Sequence, residues 1–142
     1  IFFKHEATPD SLKNTISYYA SQYMLSMAMT MLNNRLNELR QTANPPFTNA
    51  SAGYGEFFLA KTKEAFSLDA RSKVDGIDLA MKTVLEEAER ARRFGFTATE
   101  YERARANYMQ GVESAYNERE KMKNDTYVNV KRQKAVHTLT NM

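Results

Sequence analysis

The segment Arg92-Arg93-Phe94-Gly95-Phe96-Thr97-Ala98-Thr99-Glu100 constrains the fold more than any other stretch, because it ends one helix and starts another within nine residues. Upstream, Ile77, Ala80, Met81, Val84, Leu85, Ala88 and Ala91 recur at helical spacing along one stripe. Asp75 is placed to cap that helix, and Gly95 to close it with a left-handed residue. Thr97 and Glu100 form a capping box, in which each side chain satisfies the other's free backbone N–H. The following stripe is Tyr101, Ala104, Tyr108, Val112 and Ala115. Two antiparallel helices joined at Gly95 are therefore expected.

The first half reads differently. Thr8-Pro9-Asp10 carries helix-start signals, and apolar residues recur from Leu12 to Leu39, predicting a helix over 9–42. Such a helix would be about 50 Å long, so a kink or break is expected near Ser21–Ser26. Around Met24–Met31 the apolar residues go all the way round, implying burial on several sides. Tyr18, Tyr19, Tyr23, Met24, Met27, Met29 and Met31 read as core rather than as a binding groove. Asn44-Pro45-Pro46 ends the helix, because the residue before a proline is driven out of the helical region.

Two strands follow. Residues 47–58 are small and glycine-punctuated around Gly53-Tyr54-Gly55, which suggests close approach by other backbone or a bulge. Residues 64–73 alternate, with Phe66, Leu68 and Ala70 on one face and Ser67, Asp69 and Arg71 on the other. The short connection makes them an antiparallel pair. Ile1-Phe2-Phe3 reads as a strand already under way, so the expectation is a segment cut from a longer polypeptide. The fold class is α+β, an antiparallel sheet covered on one face by helices. It is a single domain over 1–142, with a further short helix in a frayed tail at 125–142. An all-helical adaptor is the rival architecture, and it would lack paired strands.

Composition excludes several classes. The hydrophobic fraction of 42% and charged fraction of 26% suit a chain that buries a core. The longest apolar run, 24–32, is too short to span a bilayer. Net charge is +3, but 17 acidic residues are interleaved with 20 basic ones. Glu86 with Arg90 and Glu89 with Arg93 are expected to pair on a solvated helix face, with Glu87 solvated beside them. Lys121, Lys123, Lys131, Arg132 and Lys134 are basic, but only Tyr127 could stack on a base, so nucleic acid is not an expected partner. The absence of cysteine excludes thiolate chemistry. The compartment cannot be read from the chain.

Catalytic signatures are sparse. The only histidines are His5 and His137, and Pro9 stands where a second zinc-helix histidine would be needed. Phosphate loops and nucleophile elbows are missing. Asn49-Ala50-Ser51 has the form of a glycosylation acceptor but reads as a chance triplet in a strand. No catalytic residue and no metal ligand are expected in this chain.

One ordered set of signals is more specific than composition. Met31-Leu32-Asn33-Asn34-Arg35-Leu36-Asn37-Glu38-Leu39-Arg40 leads across Pro45-Pro46-Phe47 into Ala50-Ser51-Ala52-Gly53-Tyr54-Gly55. The alternating strand from Phe66 follows, and then Arg92-Arg93-Phe94-Gly95-Phe96-Thr97, Glu100 and Glu102-Arg103-Ala104. Over about residues 1 to 135 this resembles the pitrilysin/insulinase family of zinc peptidases, and within it the non-catalytic domain that follows the metal-bearing one. The resemblance implies half-barrel α+β domains that together enclose a chamber where peptides are cut. Zinc would be held by two histidines and a glutamate of another domain, with a further glutamate as general base.

In that family a substrate-holding arginine is followed seven residues later by a tyrosine. Arg40 stands at the arginine position, but Phe47 replaces the tyrosine and has no hydroxyl to donate. Arg40 is thus the sole substrate-binding candidate, with helix C-terminal capping as its other reading. The implied function is a substrate-enclosing domain of a zinc metallopeptidase, inactive by itself. The implied partners are neighbouring domains of the same chain and, through them, peptide. The alternative is an assembly module related to the non-peptidase members of the family. Exposed strand edges would also allow the isolated segment to dimerise.

Overall fold

A computed structural model describes residues 1–119, so the basic stretch at 121–134, the expected tail helix and His137 lie outside the described residues. Among those described, the order is β1 (Phe2–Glu6), a 3-10 turn (Asp10–Leu12), α1 (Ile16–Arg40), β2 (Asn49–Phe57), β3 (Ala60–Arg71), a second 3-10 turn (Val74–Gly76), α2 (Ile77–Phe94) and α3 (Ala98–Asn117). The strands form one antiparallel sheet in the order β1-β3-β2. The protein is α+β, and the paired strands exclude the all-helical alternative. The chain divides into two compact units, one over Ile1–Arg105 and one from Ala106 onward.

Several local expectations are corrected. The first helix does not start at Pro9, and it is not broken at Ser21–Ser26. Thr15 is its cap, with extended backbone and a hydroxyl that accepts from the Tyr18 N–H at 3.2 Å. Thr8-Pro9-Asp10 opens only the 3-10 turn. The helix passes through Ser21 unbroken; that hydroxyl bonds back to the Ser17 carbonyl at 2.9 Å, a contact the helix accommodates without interruption. Asp75 is not the cap of α2; it sits inside the second 3-10 turn, and Gly76 holds the cap position without a side-chain bond.

The Thr97 expectation holds, and Gly95 closes α2 as expected but not in the αL basin. Its φ is 67° with ψ of −148°, a conformation open to glycine, and its N–H reaches the Ala91 carbonyl at 2.9 Å. Thr97 N–H donates to Glu100 Oε2 at 2.7 Å, and Glu100 N–H to Thr97 Oγ1 at 3.3 Å. The strands are shifted: β2 is shorter than expected, while β3 begins at Ala60 and ends at Arg71. The two are joined by a tight turn at Phe58-Leu59, with a register break beside Glu56.

The core lies between one face of the sheet and the helices. Leu32 and Leu36 of α1, Ala50 and Ala52 of β2, Leu68 of β3, and Ala80 and Val84 of α2 pack together around Phe47. Alanines at 50 and 52 let α1 settle close to β2. A second cluster joins Met27 and Met31 to Ala104 on the first turns of α3. Of the 24–31 stretch expected to be buried on several sides, Met27 and Met31 are buried, and α1 meets both clusters between residues 27 and 36. On the preceding turns, Tyr19 and Met24 are 64% and 62% exposed. The core reading of the tyrosine–methionine set holds for Met27 and Met31 and fails for those two. Ile77 and Met81 are likewise more than half exposed, whereas Ala80 and Val84 carry α2 into the core.

Gly53 is closely approached. A Cβ there would meet Ser67 Oγ at 3.1 Å, so the crowding comes from a side chain on β3 and not from other backbone.

Candidate functional site

Arg40 ends α1 and is exposed, where a cation favours the negative end of the helix dipole. Phe47 is 2% exposed and anchors the main core, so it does not stand beside Arg40 as a second surface group. The structure does not bring the two together into a site.

The acidic face of α2 pairs differently from expectation. Glu89 binds Arg93 at 2.5 Å as foreseen, and Arg92 as well, through bonds of 2.7 and 2.8 Å. Those two guanidinium groups lower its carboxyl to about 2. Arg90 turns to Glu87 at 3.3 Å instead of Glu86, and Glu86 lies 3.7 Å from Lys82. Glu87 is not solvated, for its side chain is only 13% exposed.

Two polar clusters organise Ile1–Arg105, and local periodicity shows neither in full. The first joins α1 to the start of α3. Arg35 Nε donates to Glu100 Oε1 at 2.5 Å, while Nη2 donates to Glu100 Oε2 at 3.0 Å and to the Gly95 carbonyl at 3.1 Å. Its guanidinium also lies over the Phe96 ring, 4.7 Å from the centroid. Glu100 Oε2 further accepts from the Thr97 hydroxyl at 2.9 Å. The Arg35 hydrogen bond, followed by those from Thr97, lowers the Glu100 carboxyl to about 2. A carboxylate so well satisfied is a poor proton acceptor, which makes the pair a lock and not a catalytic base. The capping box identifies Glu100 in the sequence, but nothing local points to Arg35, which lies 65 residues away.

The second cluster takes one residue from each strand. His5 of β1, Tyr54 of β2 and Glu64 of β3 share the sheet face that carries the core. Tyr54 Oη lies 2.8 Å from His5 Nε2 and donates to Glu64 Oε2 at 3.0 Å. The His5 and Tyr54 rings stack at 5.5 Å. Glu64 is 5% exposed. Burial first, and then the neighbouring Glu64 carboxylate, push the Tyr54 phenol up to about 12, so it stays a neutral hydrogen-bonding group. Alternation along β3 does place Glu64 on the apolar face, and a charged residue there is the signal that could have drawn attention to the cluster.

Beside it, the side chain of Asn33 donates to the Ala52 carbonyl and accepts from the Ala52 N–H, both at 2.8 Å. A third bond to the Met29 carbonyl at 2.8 Å fixes the amide. Asn33 thereby occupies the edge groups of β2 that a pairing peptide would need at that point. The opposite sheet face carries Gly53, Ala65 and Ser67 between Phe2, Phe57 and Phe58, around a cavity of about 280 Å³. Asn49 begins β2 and is exposed.

Among the described residues, no group of three or more histidine, cysteine, aspartate or glutamate side chains could hold a metal ion. No described helix is long and apolar enough to cross a membrane. No family model matches the chain, and neither a curated protein nor a solved structure matches it.

Proposed function

We propose that this chain is a non-catalytic, substrate-enclosing domain of a larger zinc metallopeptidase of the pitrilysin/insulinase type. The supporting observation is that separate parts of the ordered motif set meet in three dimensions. Arg35 from the first part grips Gly95 and Glu100 from the last, and Phe47, Ala50 and Ala52 from the middle share the core with Leu36. A motif set that specifies scaffold contacts suits a wall better than a reaction centre.

In this reading the chamber's chemistry comes from elsewhere in the parent polypeptide, where zinc polarises the scissile carbonyl and activates water. The present segment contributes shape. Its helix layer packs the sheet from one side, and the other face, small at Gly53, Gly55 and Ser67, leaves room to border a peptide. Pairing of substrate along β2 is disfavoured by Asn33, so any role here is enclosure and not strand extension.

The test is cleavage of a peptide mixture by the isolated chain and by the full polypeptide it belongs to, both supplied with zinc and followed by mass spectrometry. Chelator-sensitive cleavage by the full polypeptide alone is the expected result. Cleavage by the isolated chain, or none by the full polypeptide, contradicts the reading.

A further inference from the structure

The hydrogen bonds around Tyr54 require one proton more than a neutral imidazole beside a carboxylate provides. His5 Nδ1 lies 2.8 Å from the Glu6 carbonyl, which can only accept, so Nδ1 carries a proton. Tyr54 has a single hydroxyl proton and two partners. When the phenol donates to Glu64, His5 Nε2 must donate to the phenol, and the ring is an imidazolium. When the phenol donates to Nε2, Glu64 must donate to the phenol as a carboxylic acid. Both arrangements hold the same extra proton and leave the trio neutral. Such a proton belongs to the cluster and not to any one member.

The surroundings favour keeping it. Glu64 is nearly sealed from water, and removing the proton sets two acceptors against each other beside a buried negative charge. Neighbouring charges come in opposed pairs: Lys13 with Asp10 at 2.7 Å, and Lys63 with Glu6. Glu56 acts on Lys13 as well, and Tyr18 bears on both Lys13 and the Tyr54 phenol from α1. His5, at the exposed end, gives the proton a path to solvent.

We infer that His5, Tyr54 and Glu64 form a proton-holding latch that ties the three strands together and loosens when the proton leaves. The strand with most to lose is β1, a five-residue edge strand whose residues are all exposed.

Glu64→Gln is the decisive variant. Its amide donates to Tyr54 Oη while Tyr54 donates to His5 Nε2, so every contact is made without a titratable proton. Folding constants of wild type and E64Q are measured by denaturant titration between about pH 6 and about pH 9, where an ordinary imidazole gives up its proton. The folded wild type then binds a proton that its unfolded form has lost, so its stability is greatest at the acid end and declines as pH rises. The wild-type to E64Q ratio should fall by up to about tenfold per pH unit, the limit for a single proton. Tyr54→Phe removes the bridge and provides the same comparison if E64Q fails to fold, because wild type should decline relative to it too. A ratio that stays constant with pH overturns the latch.

Discussion

Glu100 and Glu64 are both drawn into packed surroundings, and the protein keeps each there by different means. Glu100 meets a permanent cation, the forked guanidinium of Arg35, together with two donors from Thr97. Glu64 meets a phenol and, through it, an imidazole, neither of which is a fixed charge. The first arrangement is indifferent to pH over the neutral range, whereas the second depends on a proton. A carboxylate can therefore serve as a fixed lock or as a conditional one, according to what stands opposite.

The sharpest way to break this contrast is Arg35→Ala. It leaves Glu100 without its cation and removes the packing on Phe96, so a loss of about 3 kcal/mol is expected in denaturant unfolding. Arg35→Lys should recover only part of that, because an ammonium cannot make the forked pair. Truncating the apolar support beside it, Leu36→Ala, should cost about 2–3 kcal/mol, since Leu36 is 0% exposed. The same truncation at Ile16, 89% exposed on the same helix, should change stability by less than about 0.5 kcal/mol. Thr97→Ala should cost about 1 kcal/mol through loss of the cap.

Acid separates the two carboxylates further. The Glu100 carboxyl is held at about 2 in the folded chain, below the ordinary unfolded value of about 4.3. Its contribution is present above the unfolded value and is lost as pH falls through the folded one. Stability measured from about pH 5 down to about pH 2 should therefore decline in wild type, and less steeply in Glu100→Gln. The latch at Glu64 should show the opposite sign on the alkaline side.

The parts of this fold legible in the sequence were those written in neighbouring residues. Gly95 and the Thr97–Glu100 box marked a helix junction because both act within one turn. Alternation through Phe66 and Leu68 marked a strand, and Leu32 with Leu36 marked a buried face. The start of α1 is ambiguous in the sequence because Thr8 and Thr15 both carry cap chemistry, and only the second is followed by a helix that continues. Tyr19 and Met24 are of residue types that suit a core, but their side chains project where the described packing does not reach.

The polar clusters were hidden for a different reason. Arg35 and Glu100 lie 65 residues apart, and His5 and Tyr54 lie 49 apart, so only the three-dimensional register brings them together. Arg40, the one substrate-binding candidate, stands exposed at the end of α1, while the neighbouring motif residue Arg35 carries the principal contact.

The trio of His5, Tyr54 and Glu64 brings an imidazole, a phenol and a carboxylate together around a held proton. Calorimetric titration of zinc into the isolated chain at neutral pH, with the His5 ring followed by NMR, tests that assignment together with the proposed scaffold role. The predicted result is no saturable uptake and an unchanged His5 signal. One zinc bound per chain, with His5 perturbed and binding abolished in Glu64→Gln, would contradict it.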